Sequence, residues 1–283
     1  METHQKNGVT QWGLALTGIA VLYAPTYMTL SGTLWRTDEH SHAPLIAVIC
    51  AWLFWSQRKV ILAATMPLKS AAVLGWSLFS AGLLLQLVGK TQQVPLLEMA
   101  SQIPLLAGVI TLLVGRGGLR QAWFPLIFLL FMIPLPGVWL DAMTSGLKQG
   151  VSIACEELLY LAGFPVGRSG VMISIGPYQM LVADACSGLY SILSLSALGV
   201  LLTYLGKPAS RLHMAIMLVS IIPIALLANL FRVMLLVLVT YYLGDAAGRS
   251  IHAIASPLVF VMAVALMMLT DRLCRRTVGA VKQ

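Results

Sequence analysis

Long apolar runs separated by short polar stretches make up most of the chain. A helix needs about 20 predominantly apolar residues to cross about 30 Å of hydrocarbon. Eight runs approach that length, near 12–30, 43–56, 70–88, 94–114, 121–140, 187–206, 212–243 and 253–270, the second being the shortest. One polar stretch of substance interrupts them, at 141–186. Its first part, DAMTSGLKQGVSIACEELLYLAG, mixes apolar and polar residues at helical spacing, the pattern of a helix lying flat on a membrane surface. In VMISIGPYQMLVADAC, Val171, Ile173 and Ile175 alternate with smaller or more polar residues. Gly176 and Pro177 make a turn, and Met180 and Val182 resume the alternation. That pattern predicts a small β-hairpin leading to Cys186. No internal repeat or low-complexity linker is evident. The expected fold is therefore an all-α polytopic membrane protein. It is a bundle of about eight transmembrane helices in one domain over 1–283, with a small outer-face loop or hairpin before Cys186. The chemistry-bearing half lies at about 141–270.

Composition excludes a soluble alternative. Of 283 residues, 59% are hydrophobic and only 10% charged, against roughly 25% charged in soluble domains. The formal net charge of +8 is dispersed between apolar runs. That suits loops held at a cytoplasmic face rather than a nucleic-acid-binding stripe. The cysteines, Cys50, Cys155, Cys186 and Cys274, form no C-x-x-C pair and have no metal-ligand spacing. The N-terminal run reads as a first span rather than a removed signal.

Lysine and arginine set the orientation. With the N-terminus in the cytoplasm, the inner side receives Lys6, Arg58, Lys59, Lys69, Arg116, Arg120, Lys207, Arg211, Arg272, Arg275, Arg276 and Lys282. The outer side receives only Arg36, Lys90, Lys148, Arg168 and Arg249. Both termini are then cytoplasmic.

Three polar features fall near the outer side of the second half. Cys186 sits where the hairpin ends and the sixth span begins, and Ser187 and Gly188 suit a helix start. A cysteine there feels the positive end of the helix dipole, which favours thiolate; the competing reading is a small buried hydrophobe. Asn229 and Arg232, in NLFRV, share a helix face. An arginine in an apolar run marks a functional site, or else snorkels to the headgroups. His252 opens the last span, as a reactive group or as a structural one. The run 212–243, about 32 residues and about 48 Å as a helix, crosses once with Pro223 as its natural kink. That puts Arg232 in the outer leaflet, level with Cys186 and His252. A Cys, a His and an Arg at one level suit thiol acyl transfer. Cys186 attacks a carbonyl, His252 moves the proton, and Arg232 holds the oxyanion, with Asn229 orienting Arg232 or the substrate.

At these residues the chain resembles the exosortases, polytopic Gram-negative inner-membrane enzymes. The resemblance rests on ADACSGL around Cys186, N-L-F-R at 229–232, and His252, in that order. VADACSGLYSILSLSALGVLL and IIPIALLANLFRVMLLVLVTYYLGDAAG are most similar to the branch called exosortase B. The resemblance implies a cysteine transpeptidase or protease, without cofactor, with Cys186, Arg232 and His252 catalytic. Its substrates would be membrane-anchored proteins carrying a C-terminal PEP-CTERM signal, cleaved at the outer face and tied to exopolysaccharide production. One departure concerns the segment after the first span, where the family leads us to expect a His-Gly pair. Here DEHSHAP carries His40 and His42 without the glycine, and neither is assigned a catalytic role. Cys155 is expected to form no disulfide with Cys186, since that would silence the nucleophile. The rival classes are a transporter, a non-catalytic scaffold of a polysaccharide export system, and a metal-dependent membrane protease. The first lacks an inverted repeat, and the last lacks H-E-x-x-H.

Overall fold

The computed structural model describes residues 2–37, 40–64, 71–181, 189–208 and 210–280. They fall into two compact units, Met1–Pro136 and Gly137–Gln283.

The first unit begins with α1 (Glu2–Gly32), a 3-10 turn (Leu34–Arg36) and α2 (Ala43–Ala63). The shortest sequence run is thus a full helix, entered through Pro44, whose fixed φ suits a first turn. α3 (Ala72–Gln92) ends at Gln93, which takes a left-handed conformation with φ 52°. The fourth run is broken at Ser101 into α4 (Pro95–Ala100) and α5 (Gln102–Val114). α3 and α5 pack closely because Gly82 and Gly108 leave room: a Cβ on Gly108 would come within 2.5 Å of the Phe79 backbone nitrogen. The fifth run, expected at 121–140, is a short assembly instead. α6 (Arg116–Gln121) leads to α7 (Trp123–Phe128) and a 3-10 turn (Leu129–Met132), which stops before Pro134 and Pro136. Those prolines lack the amide that a continuing helix needs.

The second unit opens with α8 (Gly137–Leu161), followed by β1 (Val166–Ser169), β2 (Met172–Ile175) and β3 (Tyr178–Leu181) in one antiparallel sheet, order β1-β2-β3. The expected hairpin is β2–β3, closed at the Ile175–Tyr178 pair around Gly176 and Pro177. Gly176 has φ +55°, the positive value a tight hairpin requires at its first loop position. β1 is an added strand, fixed to α8 by Arg168, whose Nε donates to Glu156 Oε2 at 2.9 Å. Ile173 and Ile175 on β2 are fully buried against Val151, Cys155 and Leu159 of α8. Cys155 is wholly buried within this cluster. Three helices complete the unit: α9 (Leu189–Gly206), α10 (Arg211–Leu243) and α11 (Asp245–Ala280). Ser210 caps α10 by accepting from the His213 backbone amide at 3.1 Å. Gly244 alone joins α10 to α11, with φ +84°.

Six described stretches are long and apolar enough to span a bilayer: Thr10–Gly32, Ala43–Ala63, Ala72–Gln92, Pro95–Val114, Arg211–Leu243 and Pro257–Thr277. Trp123–Met132 and Leu193–Gly206 are shorter apolar helices. The protein is a helical, multi-span membrane protein.

Candidate active site

Arg232 and Asn229 are both interior. On α10 they retain only 4% and 3% of their exposure and lie among Ala225, Ala228, Val233 and Leu236. An arginine that snorkelled would be exposed at its tip, so that alternative fails here. Burying a guanidinium is costly, and it persists in apolar surroundings chiefly where it performs a task.

The opposite end of the unit fixes the height of this arginine. His213, fully buried near the start of α10, has Nε2 3.0 Å from Asp271 Oδ1 of α11. Arg275 donates from Nε to Asp271 Oδ2 at 2.8 Å and from Nη2 to the Gly206 carbonyl at 2.6 Å. The end of α9, the start of α10 and the tail of α11 therefore meet at one level. At 1.5 Å per residue, Leu189 is about 26 Å back along α9 from Gly206, and Arg232 about 28 Å along α10 from His213. Position 252 is likewise about 28 Å along α11 from Asp271. Packing agrees, because Val233 and Ala255 share a buried cluster and position 252 is one turn from Ala255. The first residue described after Cys186, the buried arginine and the backbone of His252 thus occupy one end of a three-helix bundle. Cys186, Ser187 and Gly188 lie outside the described residues. His252 falls within α11.

His40 and His42 belong to the first unit. His40 is buried, with Nδ1 3.5 Å from the Thr37 hydroxyl. Burial pushes the His42 pKa below its ordinary 6.5, His40 nearby lowers it further, and a hydrogen bond to the Phe131 carbonyl opposes both. A depressed histidine pKa opposes protonation in the folded state. This contribution to stability is therefore present above 6.5 and lost as pH falls through the lowered value. An NMR titration of the His42 ring should give a midpoint below 6.5; a midpoint at or above 6.5 contradicts the burial account.

Sequence reasoning missed a second polar cluster. Tyr23 and Thr26 of α1, Gln86 of α3, and Glu98, Ser101 and Gln102 beside the α4–α5 break are all buried. Thr26 donates to Glu98 Oε2 at 2.5 Å, Gln86 Nε2 to Thr26 Oγ1 at 3.2 Å, and Ser101 to Gln86 Oε1 at 2.9 Å. The Tyr23 and Ser101 hydroxyls are 2.7 Å apart. The signal was one acid, Glu98, inside the run 94–114. The network ties three helices where apolar contact alone gains little over lipid. Glu98→Ala should cost about 1–3 kcal/mol by leaving the buried Thr26 hydroxyl without its acceptor, while Glu98→Gln, which keeps an acceptor, costs less than half as much. Thermal unfolding in detergent tests this, and equal losses contradict it.

Among the described residues no group of three His, Cys, Asp or Glu side chains is arranged to hold a metal. No curated protein and no solved structure matches the chain. The family described as transmembrane exosortase matches over residues 34–269, well over half of the chain and across both units. The chain belongs to the transmembrane exosortase family, whose members act as membrane transpeptidases.

Proposed function

We propose that the protein is a membrane-embedded cysteine transpeptidase or protease of the exosortase B branch. It cleaves the C-terminal PEP-CTERM signal of exported, membrane-anchored proteins at the outer face of the Gram-negative inner membrane. Its work is tied to exopolysaccharide-associated protein sorting. The observation that supports this most is the common height of the α9 start, Arg232 and position 252, at the end of the bundle away from the His213–Asp271 contact. In this reading the chain works as one domain over 1–283, and the family match over residues 34–269 supports that.

In this reading His252 takes the Cys186 proton as sulfur attacks the carbonyl carbon of the scissile peptide. The carbonyl electron pair moves to oxygen, and Arg232 stabilises that oxyanion in a low-dielectric interior. Arginine suits the role because it stays protonated there. Collapse expels the amine, which takes the proton from His252 and departs with the transmembrane tail. Water or an acceptor amine then attacks the thioester carbonyl and gives its proton to His252, the carbon–sulfur bond breaks, and the Cys186 sulfur recovers its proton from His252. Asn229, one turn from Arg232, orients the guanidinium or the substrate. Ser187 and Gly188 supply the helix start beside the nucleophile. Both termini face the cytoplasm, and Arg272, Arg275 and Arg276 stay inside.

Co-expression with a reporter ending in a PEP-CTERM signal tests the activity. The expected result is loss of the C-terminal tail in cells carrying the wild-type protein and retention in cells lacking it. A reporter with its tail intact, offered alongside several natural signals that also stay intact, would refute the peptidase reading.

A further inference from the structure

In the first unit an apolar groove runs between α1 and α2 over a floor of α5. Trp12, Leu16 and Ile19 form one wall, Ala51, Phe54 and Leu62 the other, with a volume of about 430 Å³. Arg58 stands at its mouth. Its guanidinium carbon sits 3.9 Å from the centre of the Trp55 ring, and its Nη1 donates to the Trp55 carbonyl at 2.8 Å. Lys59 follows, exposed. Further along, the groove continues past Ile19, Ala51 and Phe54 to Tyr27 and Gln102, where the Tyr27 hydroxyl donates to Gln102 Oε1 at 2.9 Å and closes it with a polar end.

We propose that this groove is a binding site for one anionic phospholipid, with an acyl chain along the groove and the headgroup phosphate at Arg58 and Lys59. Three observations select that occupant. The first is length: from Arg58 through Ala51 to Ala47 the groove follows α2 for about 16 Å, close to half of the roughly 30 Å hydrocarbon thickness, which is the reach of one leaflet's chain. The second is lining. Every residue around this stretch of groove except Arg58 is apolar, which suits a hydrocarbon chain. The third is charge. The Arg58 cation lining the groove, with exposed Lys59 next to it in sequence, complements a phosphate and would repel a basic peptide tail, and basic pockets between spans are sites for anionic headgroups. Trp12 and Trp55 flank the same end, as aromatic side chains do at headgroup level. The site is independent of the proposed thiol chemistry.

The test uses the full-length protein, delipidated in a neutral detergent and titrated with phosphatidylglycerol or phosphatidylcholine under native mass spectrometry. Wild type should retain one phosphatidylglycerol with at least five-fold preference over phosphatidylcholine. Arg58→Gln should remove the preference while leaving weak binding of both lipids. Ala51→Trp, which fills the groove where its two stretches meet, should weaken the retained lipid at least ten-fold. Leu45→Trp, on an exposed position of α2 away from the groove, should change nothing. Equal retention of both lipids by wild type overturns the proposal, as does wild-type retention in both groove variants. Displacement of the lipid by self-association of the protein would also overturn it.

Discussion

Replacing Cys186 by alanine is expected to abolish release of the PEP-CTERM tail, by on the order of 10³-fold or more. The size of the effect follows from covalent catalysis. Without the thiolate no acyl-enzyme forms, and the remaining groups, an arginine and a histidine, can polarise a carbonyl but cannot split the reaction into two easier steps. Alanine at 186 is also a mild change for folding. It removes one sulfur at the entrance to α9, and neither the β2–β3 pairing nor the His213–Asp271–Arg275 contact involves that residue. Membrane levels should therefore match wild type while the reporter accumulates uncut. Processing by Cys186→Ala at wild-type rate would return the residue to a packing role.

The second large effect is expected at Arg232. Losing one donor to a developing oxyanion costs about 3 kcal/mol, or 10² to 10³ in turnover. The difficulty is that Arg232 is also a packed interior side chain, and truncation to alanine leaves a cavity. Arg232→Met separates the two roles, since its long apolar side chain fills much of the same space between Ala228 and Leu236 without charge. The account expects Arg232→Met to insert and unfold like wild type yet process the reporter at least 10²-fold more slowly. Arg232→Lys should recover part of that loss, because it restores charge without the planar fork. If Arg232→Met is as active as wild type, the arginine is only packing. If it is inactive only because it fails to accumulate, unfolding in detergent will show that loss, and the catalytic assignment then fails.

Much of the architecture was legible in the sequence, because a bilayer leaves few options for a chain this apolar. The helices fall where the apolar runs do, and the hairpin lies where Ile173 and Ile175 alternate around Gly176 and Pro177. What misled was run length taken alone. The stretch 43–56 ended, on apolarity, at Arg58 and Lys59, yet the helix continues to Ala63 because those charged side chains reach past its apolar face. The stretch 121–140 looked long enough to cross, but Pro134 and Pro136 end it, and its last residues start α8. β1 was invisible because Val-Gly-Arg-Ser carries no alternation of its own; its place comes from pairing with β2 and from the Arg168–Glu156 contact.

The candidate site divides in the same way. Arg232 and Asn229 were readable from cost: a charge and an amide three residues apart in an apolar run demand a buried purpose. Their burial on one face of α10 is the direct counterpart of that pattern. His213, Asp271 and Arg275 were not readable as a group. The His213–Asp271 contact joins residues 58 positions apart, and His213 alone looks like an end-of-span residue. Glu98 was passed over because one acid barely changes the hydropathy of a twenty-residue run. Its partners Thr26 and Gln86 come from helices that sequence spacing does not connect.

The central claim is that Cys186 carries the substrate's acyl group, and the most direct measurement is the mass of that adduct. The purified protein, in detergent with an anionic lipid present, is mixed with a peptide spanning the PEP-CTERM motif, quenched in acid and digested. The account predicts a thioester on the peptide containing Cys186, released by hydroxylamine and absent from Cys186→Ala. Tail release in the same tube without any adduct on Cys186, or with the adduct on another residue, would contradict it.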